Sequence, residues 1–306
     1  MVAATRRLTL ALNLLGIENI LPGGMEAYVA AAARAEAAGI DGIVMPDHVV
    51  MGEDLSDYPF DRWEAPPEMY WPEPLVVLAA IAGATKRLQL ATSILVAPLR
   101  PAVLVAKQAA TLDSISGGRF ELGAGFGWQR AEYLACGVDF LRRRQILEDQ
   151  LDAFGKLWRG ELTSFASPTV NFPRVCCQPR PFEGRRIPLW LGIAATPANT
   201  ALMARHDAGW AALRPVPEFI AQGTSALRAA RRDAGLTPTP RVRTSPRLAY
   251  RQSGGLDWES IERGMAELVQ AGVTHFDFPV SFMSSDETSF DSLLEHVTNM
   301  AGRLPE

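Results

Sequence analysis

An apolar run, Gly42-Ile43-Val44-Met45, ends abruptly in Pro46-Asp47-His48. An imidazole changes charge near neutral pH, so His48 can donate or accept a proton beside a carboxylate that orients it. The same pair could be a structural couple, the imidazole donating to a buried carboxylate. It could also supply two metal ligands, but such a site needs further His or carboxylate groups at other strand tips. Only His275 is placed to help, and no C-x-x-C or H-x-x-x-H spacing occurs, so no metal is expected.

Two other stretches have types and spacing worth testing. "GAGFGWQ", residues 123–129, has the pattern G-x-G-x-G rather than the dinucleotide pattern G-x-G-x-x-G. Its glycines serve either a tight turn or the close approach of a flat or phosphate-bearing ligand. "AATPANTALM" carries Thr196-Pro197 at the start of an amphipathic segment. That pair reads as an N-cap followed by proline at the first helical position. It reads equally as a helix N-terminus offering unpaired N–H groups to an anion. The residues alone leave both open.

These groups need elements to hold them. Short apolar, β-rich bursts fall at 8–13, 42–46, 88–96, 119–124, 188–193, 209–213, 243–250 and 273–280. Helical periodicity fills the gaps. Leu147, Leu151, Phe154 and Trp158 share one face, as do Ile261, Met265, Leu268 and Val269. Gly117-Gly118 and Gly272 mark helix ends, and Pro101 a helix start. Strands apolar on both faces and separated by helices form a parallel sheet. Eight such units predict an α/β fold, a (β/α)8 TIM barrel occupying 1–306 as a single domain. A doubly wound sheet has the same alternation.

Two insertions interrupt the rhythm. Residues 47–72, rich in proline and aromatics, follow the second strand. Residues 160–187 precede the fifth and read as a hairpin-like excursion. Barrel active sites form from the loops after the strands, so the first insertion should cover the site. By position, the strand tips also carry Thr92, Arg247, His275 and Asp277.

The chain of 306 residues is 48% hydrophobic and 21% charged, with a formal net charge of -4. Nothing in this balance recruits nucleic acid. Arg142-Arg143-Arg144 reads as a solvated helix start. The odd cysteines, Cys136, Cys176 and Cys177, imply no disulfide framework and suit a reducing cytoplasm. Leu8–Leu15 after Arg6-Arg7 reads as a first core strand, since Asn13 interrupts it and no cleavage motif follows cleanly. No run approaches the roughly 18 apolar residues of a membrane span.

Together, "MPDHVVMG", the block "RLQLATSILVAPLRPAVLVAKQAATLDSISGGRFELGAGFGWQRAEYLACGVDF" at 87–140 and "IPLWLGIAATPANTALMARHDAGW" at 187–210 resemble the luciferase-like monooxygenase superfamily. The aromatic loop after Asp47-His48 looks most like the branch using the deazaflavin coenzyme F420, with FMN the alternative. The resemblance implies a non-prolyl cis peptide at Ser93-Ile94 behind the ring. It implies cofactor contacts from Asp47, His48, Ala124, Gly125 and Gln129, with His48 as catalytic proton donor. Ala194, Ala195 and Thr196 would grip the phosphate. Sugar-phosphate dehydrogenases of this branch carry a Glu where this chain has Phe126. Phe126 and Trp128 therefore suggest an apolar substrate pocket. Ile193 and Ala194 replace glycines common in the phosphate loop. The implied activity is hydride transfer between the deazaflavin and a small apolar molecule. An FMN monooxygenase and a flavin-binding barrel without catalysis are the alternatives. Relatives often dimerise through early barrel helices, and the Ala-rich segment 25–38 could allow a homodimer.

Overall fold

Eight strands arise where the β-rich bursts predict them, in a computed structural model that describes residues 8–59, 66–300 and 303. They are Thr9–Asn13, Gly42–Met45, Gln89–Thr92 with its continuation Leu95–Val96, Phe120–Gly125, Leu189–Leu191, Gly209–Ala211, Val242–Thr244 and His275–Pro279. All pair in parallel. The first strand pairs with the second and the eighth, and the third pairs with the fourth, which closes the ring. The doubly wound alternative, an open sheet, is thereby excluded.

Alternation along each strand divides the side chains between two environments. Leu10, Leu12, Leu90, Phe120, Leu122, Leu189, Leu191, Phe276 and Phe278 join the main core shared with the helices. Ala11, Val44 and Ala91 form a separate small cluster. Each buried Leu or Phe contributes roughly 1.5–3 kcal/mol over an exposed one, so this outer layer dominates the stability.

The helices follow their periodicity. α1 (Glu26–Ala38) buries Ala27, Tyr28, Ala31, Ala32 and Ala35 and ends at Gly39, φ +92°. Ala30, Ala33, Ala37 and Ala38 stay exposed on its outer side. α2 (Pro74–Ala84) starts with Glu73 accepting from the Val76 N–H at 2.8 Å and Pro74 at the first position. α3 (Ala102–Ile115) begins one residue after Pro101 and stops before Gly117 and Gly118, both at positive φ. α4 (Arg130–Ala135) is short, and α5 (Arg143–Leu157) buries Leu147, Leu151 and Phe154. Arg142 and Arg144 are exposed at its start, whereas Arg143 lies 3.7 Å over the Phe140 ring. α6 (Pro197–Arg205), α7 (Pro217–Asp233), α8 (Trp258–Gln270), α9 (Val280–Met283) and α10 (Glu287–Met300) complete the order. Among the described residues no helix is long and apolar enough to cross a membrane.

The insertion before the fifth strand is the expected hairpin, Thr163–Ala166 against Asn171–Val175. The loop after the second strand is irregular, and its residues 60–65 lie outside the described residues. The seventh strand is shorter than expected. It ends at Thr244 because Pro246 has no N–H to give the ladder. Arg247 therefore lies beyond the strand, in the loop.

At the C-cap of α6, His206 is buried. Burial, then the charges of Arg205 and Arg186, lower its pKa to about 4, although Asp152 Oδ1 lies 3.3 Å from Nε2. Arg205 Nε donates to the same nitrogen at 3.3 Å, which requires the neutral ring. A depressed folded-state pKa means that the unfolded chain takes the proton first as pH falls. Stability is then lost from about pH 6.5 down to about 4, roughly 2 kcal/mol of it between pH 7 and pH 5. Urea unfolding at those two pH values should show His206→Gln losing less stability than the wild type. Equal losses would remove His206 from the acid response.

Candidate active site

The second strand ends at Met45, and the two residues after Pro46 turn to different tasks. The Asp47 carboxylate is buried and fully engaged. Arg100 Nη1 donates to Oδ2 at 2.7 Å and Nη2 to Oδ1 at 2.9 Å, a bidentate pair, while the Val96 N–H donates to Oδ2 at 2.9 Å. Arg100 also reaches Glu73, the N-cap of α2, at 3.2 Å. Burial by itself would lower the Arg100 pKa, but Asp47 and then Glu73 raise it above its ordinary value. Asp47 thus ties the tip of strand two to the resumed strand three. Three donors, two from Arg100 and one from Val96, engage the carboxylate that the resemblance implies meets a cofactor.

His48 has a different partner. Its Nδ1 lies 3.0 Å from Glu132 Oε2 on α4, and the Val49 N–H donates to Glu132 Oε1 at 2.5 Å. Both side chains are buried. A carboxylate acceptor there favours the tautomer with hydrogen on Nδ1. The Trp71 and Trp128 rings meet the imidazole edge to face at 4.7 and 5.6 Å, and Tyr58 meets Trp128 at 5.0 Å. The loop after strand two thus brings its aromatics to the loop after strand four around one imidazole.

Gln129 and Glu132, three residues apart, clamp that loop. Gln129 Oε1 accepts from the Gly52 N–H at 2.8 Å, and Nε2 donates to Met51 Sδ. The fully buried Gln129 amide is therefore a loop fastener. Glu132 lies on a helix rather than at a strand tip, so the strand-tip pattern does not point to it. Its signal was the helical spacing from Gln129, which sets both on one buried face.

The Ser93–Ile94 peptide is cis, as the resemblance implied, and it breaks the third strand. The glycines nearby are explained by this break. A Cβ on Gly123 would sit 2.0 Å from Thr92 O, and one on Gly125 or Gly192 would sit 2.1 or 2.5 Å from Ile94 Cδ1. They make a slot for the Ile94 side chain. Gly127, at φ +60°, takes the turn. Ala124 is buried with its methyl in the outer core, and its carbonyl accepts from the Gly192 N–H at 3.0 Å. Ala124 and Gly125 thus have structural occupations. Phe126 packs on the core with Arg143 5.8 Å from its ring, whereas the Trp128 ring reaches His48.

Thr196 is the N-cap of α6, with Oγ1 accepting from the Asn199 N–H at 3.4 Å and Pro197 next. Asn199 Nδ2 donates to the Ala194 carbonyl at 2.7 Å and pins the loop. Ala194, Thr196, Pro197 and Ala198 remain exposed and Ala195 half-buried. The helix N-terminus is therefore capped and also open to solvent. His275 begins the eighth strand, 4.7 Å from the Trp190 ring, at the opposite end of its strand from the tips. It cannot join Asp47 and His48, and no group of three metal-ligating side chains occurs among the described residues.

With this geometry in place, the profile of the luciferase-like monooxygenase family matches residues 8–275. The chain belongs to that family. Luciferase-like members are flavin- or F420-dependent oxidoreductases and monooxygenases. An uncharacterized protein of Mycobacterium tuberculosis is 33% identical over 193 residues, 59% of this chain and 66% of that protein. The chain thus spans just under two-thirds of that relative's length. Two solved structures share the fold. The oxygenating constituent of 3,6-diketocamphane monooxygenase from Pseudomonas putida, in complex with FMN, is 14% identical with a TM-score of 0.76 and covers 98% of this chain and 100% of its own. An F420-dependent secondary alcohol dehydrogenase, with an F420–acetone adduct, is 15% identical with a TM-score of 0.76 and the same coverages.

Proposed function

We propose that this luciferase-like barrel is a cytoplasmic oxidoreductase that binds a deazaflavin of the F420 type across the strand tips. It passes hydride between that cofactor and a small apolar molecule. The observation that carries the reading is the His48–Glu132 couple, buried among Trp71 and Trp128 at the end of strand two. The residues suit such a group: aromatic edges and an imidazole at one side, and a solvent-open helix N-terminus flanked by Ala194 and Ala195 at another. The cofactor, when bound, supplies the two-electron redox chemistry.

The chain's own residues supply placement and a proton. Glu132 holds His48 with Nδ1 hydrogen-bonded, and Nε2 then exchanges the proton that accompanies hydride transfer. With a carbinol substrate, His48 would take the hydroxyl proton, and the bound cofactor would supply the hydride acceptor. In reduction His48 would return the proton. Asp47 and Arg100 keep strands two and three in register at the tip, and Ser93 and Ile94 would support the cofactor there. The backbone at Ala124 and Gly125 borders that place, and Gln129 keeps the aromatic loop down. Ala194, Ala195 and Thr196 receive the anionic tail. Trp128, with Phe126 behind it, excludes water from the substrate side.

The FMN monooxygenase reading is favoured by the description of the family and by the diketocamphane likeness. Titrating the purified protein with each cofactor separates the two. F420 fluorescence should be quenched with a dissociation constant in the micromolar range, and FMN should bind at least about tenfold more weakly. The reverse order would establish the monooxygenase reading, and no binding of either would end both.

A further inference from the structure

Barrels of this kind usually fill their axis with branched aliphatic side chains. Here Ala11, Val44 and Ala91 contribute little bulk from strands one to three. Opposite them stands a chain of charge. Asp277 of strand eight accepts from Ser93 Oγ at 2.9 Å, and its other oxygen lies 3.3 Å from Arg243 Nε on strand seven. The Arg243 guanidinium lies 4.4 Å over Trp190 and 3.9 Å from Glu121 Oε2. Trp190 Nε1 donates to that same oxygen at 2.5 Å, and Arg241 closes on Glu121 at 3.4 Å. Asp277 and Arg243 are each only 3% exposed. Their alignment makes no hydrogen bond between them, and Asp277 Oδ1 and Arg243 Nε and Nη1 lack partners.

An imperfectly bonded buried ion pair is a poor way to fill a core, since apolar side chains of similar volume serve stability as well or better. The pair touches Ser93, which stands at the break in strand three. We propose that Asp277 and Arg243 are positioning residues that set the charge beneath the cofactor ring and thereby how tightly the site holds the reduced relative to the oxidised form. This rests on the reading given under Proposed function. Hydride uptake makes the ring richer in electrons. A balanced pair is neutral toward that change, and either half alone is not. Burial raises the Asp277 pKa, Arg243 and the Ser93 hydroxyl oppose this, and Glu121 adds to it. The remaining groups along the axis, Arg241 and His275, are unchanged by the substitutions.

The test measures dissociation constants of wild type, Asp277→Asn and Arg243→Gln at pH 8. Each is titrated with the oxidised and the reduced form of whichever cofactor, F420 or FMN, the wild type binds. Asp277→Asn leaves Arg243 uncompensated, so the ratio of reduced to oxidised dissociation constants should fall by about tenfold. Arg243→Gln should raise it by about tenfold, the scale of one unit charge felt through protein interior. Opposite signs separate an electrostatic role from a merely structural one, which would move both variants alike. Thermal melts of the cofactor-free proteins check folding. If Arg243→Gln does not fold, Arg243→Lys must keep the wild-type ratio while Asp277→Asn shifts it. Ratios within twofold of wild type in folded variants, or shifts of one sign, overturn this inference alone. A wild type that binds neither cofactor overturns it together with the reading beneath it.

Discussion

Replacing His48 with alanine should lower turnover by about 10² to 10⁴-fold while leaving cofactor affinity within a few-fold, the range expected for loss of a positioned proton donor. The imidazole stands on a buried carboxylate, between two indole edges and at the end of a strand whose neighbour carries the Ser93–Ile94 break. Neither indole can supply a proton in its place. Glu132→Gln should cost less, about 10 to 100-fold, because the ring stays while its orienting charge goes. The assay is steady-state turnover on whichever members of a panel of apolar alcohols and ketones support wild-type turnover. Unchanged turnover in His48→Ala would remove the imidazole from the chemistry and leave only its packing.

The second large effect falls on stability. Asp47→Ala strands the Arg100 guanidinium in a site where the carboxylate was its bidentate partner, and it leaves the Val96 N–H without an acceptor. Removing one half of a buried pair costs about 3–5 kcal/mol. In a chain of this length that is a fall in midpoint temperature of about 5–10 °C. The double replacement Asp47→Asn with Arg100→Met should recover much of the loss, since no isolated charge remains. Calorimetry of the three variants decides the matter. A loss below about 1 kcal/mol for Asp47→Ala would class the pair with weak exposed salt bridges.

The two predictions divide the Asp47-His48 pair that the sequence presents as one unit. Asp47 braces the scaffold and His48 stands among the aromatic rings, because each turned to a different long-range partner. Arg100 is 53 residues from Asp47, and Glu132 is 84 residues from His48. Adjacent residues in extended backbone point to opposite sides, so adjacency never implied a shared task.

Local signals in the sequence determined a good deal. Strand positions follow from apolar bursts, and helix positions from i, i+4, i+7 spacing at Leu147, Leu151 and Phe154. Helix ends follow from Gly117-Gly118 and Gly272, and a cap from Thr196 with Pro197. Propensity, capping and periodicity act over a few residues, so they can be read without coordinates. The hairpin before the fifth strand was legible for the same reason. Tertiary structure alone decided which groups meet. Closure of the ring brought Glu132 to His48 and set Arg243 and Asp277 on the axis under Ser93. It also filled the glycine slot of strands four and five with Ile94. These contacts depend on parallel register between distant strands and on side-chain direction across a closed barrel, and no short-range pattern in the chain encodes either.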